Sequence, residues 1–80
     1  MKNNPVTVKE LIQMLKDFPE DLPIFVSGYE SGYDHFYKPE IIELVHRPDN
    51  MYFDGEYQIP EANEIPNISA VVFARVNRND

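Results

Sequence analysis

The chain has 80 residues, no cysteine, and a net charge of −7 from fourteen Asp and Glu against seven Lys and Arg. That balance repels a phosphate backbone, so direct nucleic-acid binding is disfavoured, and a chain without cysteine forgoes disulfide reinforcement of its small core. One domain over 1–80 is expected, cytoplasmic and free of membrane segments, because the sequence has neither a charged-then-apolar leader nor an apolar run near the roughly 18 residues a bilayer requires.

Thr7 with Glu10 three residues later forms a capping-box pattern, flanked by Val6 and Leu11 at the positions of a hydrophobic staple. Apolar residues at Val8, Leu11, Ile12, Leu15 and Phe18 then follow helical spacing, which predicts a helix over 7–18 whose stripe packs on a sheet. Pro19 ends it, and Pro19-Glu20-Asp21 supplies turn chemistry. Ile24, Phe25 and Val26, bounded by Pro23 and Gly28, read as a buried strand against that helix.

A second strand is expected over 40–46, where Ile41, Ile42, Leu44 and Val45 crowd rather than alternate, the sign of two covered faces or of a bulge. Asp54-Gly55, between aromatic residues, predicts a two-residue hairpin turn within 51–59. Pro60 and Pro66 frame a polar loop, and 68–76 is the most strand-like stretch of the chain, leaving a tail at 77–80 that is expected to fray. The sum is an α+β fold: one N-terminal helix packed on a small, mostly antiparallel sheet of three to five strands.

The segment 28–35 is the leading site candidate. It brings together Gly28, Tyr29, Glu30, Gly32, Tyr33, Asp34 and His35, directly after a strand. Glycine permits positive φ or close approach of another backbone, and tyrosine gives contact area with a polar tip at little entropic cost. Tyr29, Tyr33 and Tyr37 recur every four residues, but the intervening glycines argue for an irregular loop rather than a helix. The alternative is that these rings fold back over a core short of apolar volume. Glu30, Asp34, His35 and His46 carry metal-ligating atoms, but their spacing matches no established metal motif, so no metal and no cofactor is expected.

Catalytic signatures are missing as well: there is no cysteine nucleophile, no Gly-x-Ser-x-Gly elbow, no P-loop and no dinucleotide fingerprint. From 48 to 68 the chain carries Asp49, Asp54, Glu56, Glu61 and Glu64 with no Lys or Arg, either a solvated surface or an acidic face for a basic partner.

The run Val8-Lys9-Glu10-Leu11-Ile12, then Phe18-Pro19, Asp21 and 23–26 leading into Ser27-Gly28-Tyr29-Glu30, resembles a group of small bacterial and bacteriophage proteins with a helix, a Pro-x-Asp turn and a strand ending in Ser-Gly-Tyr-Glu-x-Gly-Tyr-Asp. The likeness covers about the first 35 residues and is loose beyond Pro39. It implies a phage or mobile-element setting, in which small acidic proteins are often inhibitors of host defence.

Two expectations follow. The first is a non-enzymatic protein that inhibits a host protein through the 28–35 segment and the acidic surface. The second is a binder of a small nucleotide signal, with Tyr29 or Tyr33 stacking on the base and Lys38, Arg47 and Arg75 meeting the phosphates. A marginal core and short aromatic strands also lead us to expect self-association into a dimer or larger closed oligomer.

Overall fold

The computed structural model describes residues 4–78. Its elements in chain order are α1 (Val8–Leu15), β1 (Val26–Ser27), β2 (Tyr33–Asp34), β3 (Glu40–His46), β4 (Tyr57–Gln58) and β5 (Ile68–Val72). Strands β1 and β2 form one antiparallel sheet, and β4-β3-β5 form a second, three-stranded and also antiparallel. The fold is thus α+β with one N-terminal helix.

The capping box forms. The Thr7 hydroxyl accepts from the Glu10 backbone N–H, and the Glu10 carboxylate accepts from the Thr7 N–H at 3.0 Å. The helix is shorter than the apolar spacing predicts, because its last turn tightens: Asp17 and Phe18 donate to Met14 and Leu15, three residues back, ahead of Pro19. The Pro-x-Asp turn follows as expected, with the Leu22 N–H bonded to the Pro19 carbonyl at 3.3 Å.

The apolar stripe of α1 is not buried. Leu11 is half-buried, whereas Val8, Ile12, Leu15 and Phe18 are exposed, and Ile24 and Phe25 are exposed rather than forming a covered strand. The pairing that begins at Val26 explains the difference. Residues 22–25 carry no ladder, so they lie beside the helix as an open flank instead of roofing it.

The centre of the molecule is β3. Glu40 to Leu44 pair with β5, then Val45 and His46 pair with β4. The crowded apolar residues therefore mark a strand that changes partner at Leu44 and Val45, the two residues that are buried among those described. Two fully covered faces do not exist, since Ile41 is exposed opposite the exposed Val71. Cross-strand pairs at 42 with 70 and 44 with 68 make the inner face, and on the outer face the Ser69 hydroxyl donates to Glu43 at 2.6 Å.

Asp54-Gly55 is not a two-residue hairpin turn. The hairpin is β3 to β4, and its long connection folds around the Gly55 carbonyl, which accepts from the side-chain amides of Asn50 and Gln58, each at 2.8 Å. A turn closed by the Asp54 N–H on the Met51 carbonyl lies at its tip. The last strand ends at Val72, but 74–76 continues alongside 35–37 through bonds from Tyr37 to Ala74 and from Val76 to His35. A bridge between Phe36 and Arg75 and an edge-to-face contact of Phe36 with Phe73 join the two sheets there. Of the tail expected to fray, residues 79 and 80 lie outside the described residues, while Arg78 is held by Asp34.

Candidate functional site

The segment 28–35 is ordered as a hairpin, not an irregular loop. Val26 pairs with Asp34 and Ser27 with Tyr33. The turn between them is closed by Gly28 N–H to the Gly32 carbonyl at 2.8 Å and by Gly32 N–H to the Tyr29 carbonyl at 3.3 Å. Neither glycine takes a positive φ. The left-handed position is Glu30, at φ 56°, a conformation that costs a side chain about 1–2 kcal/mol.

Gly28 is required by contact instead. A Cβ placed on it would collide with the Asp34 carboxylate and would lie 3.3 Å from the Tyr33 carbonyl carbon. That carboxylate is turned inward, its side chain 12% exposed, and meets the Arg78 Nε at 3.4 Å and the Arg75 Nη1 at 4.0 Å. His35 is packed edge-on against Phe25, with ring centres 5.3 Å apart. The base of the hairpin is thus a packed and charge-paired foundation.

Its tip faces water. Tyr29 and Tyr33 are each 75% exposed, with Glu30 and Ser31 exposed between them. The rings do not fold back over the core. Of the seven residues singled out in this segment, Tyr29, Glu30, Gly32 and Tyr33 form the outward surface, whereas Gly28, Asp34 and His35 build its support.

The cations considered for phosphate binding are placed apart. Arg47 is 2.5 Å from the Glu64 carboxylate, Arg75 faces Asp34, and Lys38 lies beside Tyr37 and Glu40 along the β3–β5 edge. Glu64 also accepts from the Glu61 N–H at 3.1 Å. That bond first, and then Arg47, holds its carboxyl below the usual range against a desolvation that acts the other way. His46 stacks on Tyr57 at 4.6 Å and meets Glu56 at 2.5 Å. Among the described residues no group of three or more His, Asp or Glu side chains converges as a metal site. Among the described residues no helix is long and apolar enough to cross a membrane.

Two exposed features escape the sequence reading. Met51, Tyr52 and Phe53 stand at the tip of the β3–β4 connection, with Tyr52 97% exposed and edge-on to Phe53 at 5.4 Å. Their apolar run reads as strand, but turn residues at 48–50 and 54–55 flank it closely and lift it out of the ladder. The other is an open groove of about 880 Å³ between α1 and the flank that follows it. Comparison with protein-family models, with curated proteins and with solved structures finds no match to this chain.

Proposed function

We propose that this is a non-catalytic binding protein, which recognises a partner protein through the 29–33 tip of the 28–35 hairpin and inhibits it by occupying its surface. The observation that carries this reading is the pair Tyr29 and Tyr33, both 75% exposed on a hairpin pinned at its base by the Asp34 cluster. Large rings held out on a rigid support pay little entropy on docking, which is how aromatic anchors gain affinity. The partner surface that fits has apolar pockets for two rings and a cation facing Glu30. The likeness of the Gly-Tyr-Glu-Ser-Gly-Tyr-Asp segment to bacterial and phage proteins points to a host defence protein met in the bacterial cytoplasm.

A nucleotide ligand is the weaker reading. Stacking on Tyr29 or Tyr33 would place the phosphates near Glu30, while Arg47 faces Glu64 away from the hairpin and Arg75 faces the Asp34 carboxylate at its base. Capture separates the two: the immobilised chain and its Tyr29→Ala/Tyr33→Ala variant are exposed to bacterial lysate. A protein retained by the first and lost by the second supports the proposal. Identical retention by both refutes it.

A further inference from the structure

Of the six aspartates in the chain, Asp54 alone precedes a glycine, and no asparagine does. A side-chain carboxyl is open to attack by the backbone nitrogen that follows it when that nitrogen is unbonded and no Cβ crowds the approach. The aspartates differ in this respect. After Asp17, Asp21 and Asp49 the next N–H is engaged: Phe18 donates to Leu15 at 3.1 Å, Leu22 to Pro19 at 3.3 Å and Asn50 to Arg47 at 3.1 Å. Asp34 turns its carboxylate onto Arg78 and Arg75. The Gly55 N–H donates to no group among the described residues, and Asp54 and Gly55 are both exposed in the β3–β4 connection.

We propose that Asp54-Gly55 is a self-modification site, at which the chain isomerises to isoaspartate through a cyclic imide. The Gly55 nitrogen bonds to Cγ of the protonated Asp54 carboxyl. The Cγ–OH bond breaks, and that hydroxyl leaves as water with the proton of the nitrogen. A second water opens the five-membered ring. Breaking the N–Cγ bond restores aspartate, whereas breaking the bond from the nitrogen to the Asp54 carbonyl carbon leaves the chain running through Cβ and Cγ, with the α-carboxylate as the side group. Atoms and charge balance with water as the sole co-reactant.

The product alters this connection in particular. One extra backbone atom displaces the Gly55 carbonyl by about 1.5 Å, the length of a C–C bond. That carbonyl accepts from Asn50 Nδ2 and Gln58 Nε2, each at 2.8 Å, and bonds of that length do not survive such a move. The two-residue strand β4 follows at Tyr57, and beside it the Arg47 N–H is bonded to the Glu56 carbonyl. Isomerisation therefore loosens the end of the β3–β4 ladder and the 51–53 segment attached to it, and leaves the 29–33 tip unaltered.

The full chain, incubated at neutral pH and digested, is mapped for isoaspartate by electron-transfer fragmentation and by methyl acceptance from S-adenosylmethionine with an isoaspartyl carboxyl methyltransferase. Isoaspartate should accumulate at 54 ahead of 17, 21, 34 and 49. Gly55→Ala should slow it on the order of tenfold. That variant still folds, since its Cβ would meet nothing nearer than 3.4 Å and the φ of Gly55 is not positive. Unfolding in guanidinium chloride frees the engaged N–H groups, so it should speed 17, 21 and 49 by about fivefold and leave 54 within about twofold. The isomerised fraction, separated by chromatography, should show faster hydrogen exchange at the Arg47 N–H and unchanged exchange in the 26–34 hairpin. No isoaspartate at 54 in the folded chain overturns the proposal. So does a rise at 54 on unfolding as steep as at the other three positions, and so does unchanged exchange at Arg47 in the isomerised fraction.

Discussion

The Asp34 carboxylate lies against the Cα of Gly28, so closely that position 28 has no room for a Cβ. Gly28→Ala should therefore push Asp34 away from Arg78 and Arg75 and cost about 1–3 kcal/mol, the usual penalty for overpacking. Gly32→Ala is the contrast. Its Cβ would meet nothing nearer than 3.7 Å and its φ is not positive, so it should be neutral or slightly stabilising. Thermal melting of the two variants checks the pair, and equal losses would contradict the described hairpin base.

At Glu30 the backbone is left-handed at φ 56°. Glu30→Gly removes the steric cost, so stability should rise by up to about 1 kcal/mol once the entropy of the added glycine is counted. If the carboxylate contacts the partner, the same change should weaken binding. A gain in melting temperature with lost affinity identifies strain kept for recognition; a drop in melting temperature contradicts the strain.

Much of the local structure is legible in the sequence because it depends on local chemistry. The capping box at Thr7 and Glu10, the turn after Pro19, the polar loop between Pro60 and Pro66 and the strand at 40–46 all follow from residues within a few positions of one another. What fails is non-local. The helical stripe says that Leu15 prefers burial but not what covers it, and in one chain it stays 40% exposed. The strand signal at 24–26 begins late because pairing is decided by Asp34 and Tyr33, eight and six residues downstream of Val26 and Ser27. The candidate segment 28–35 stands out by its composition. Its division into an exposed tip and a charge-paired base depends on Arg75 and Arg78, more than forty residues away.

Burial at Leu44 and Val45 makes β3 the stability centre. Leu44→Ala should cost about 2–5 kcal/mol, a large share of what a domain of this size has, and should exceed the effect of Leu11→Ala at the half-buried helix position. Denaturant titration ranks them. The reverse order would move the core to the helix.

Two carboxylates link folding to pH. Glu10 is held below the usual range by the Thr7 backbone N–H first and then by its hydroxyl, and Glu64 by the Glu61 N–H and then by Arg47. A depressed folded-state value means that each contribution is fully present above the unfolded carboxylate range of about 4.3 and is lost as pH falls through the lower, folded value. Melting temperature should thus fall below about pH 4.3, and Glu10→Gln, which keeps the capping bond, should make that fall shallower. An unchanged acid limb in Glu10→Gln contradicts the assignment.

The recognition tip is tested most directly by measuring affinity and melting temperature together on four chains: wild type, Tyr29→Ala, Tyr33→Ala and Tyr52→Ala. The binding partner is the protein captured from lysate. Because both hairpin rings are 75% exposed, their removal should leave melting unchanged within about 0.5 kcal/mol while weakening binding by roughly thirtyfold each, the loss of an anchor worth about 2 kcal/mol. Tyr52→Ala, equally free of the core at 97% exposure, should bind as the wild type does. Affinity unchanged in both hairpin variants, or lost only in Tyr52→Ala, would contradict the placement of the site at the 29–33 tip.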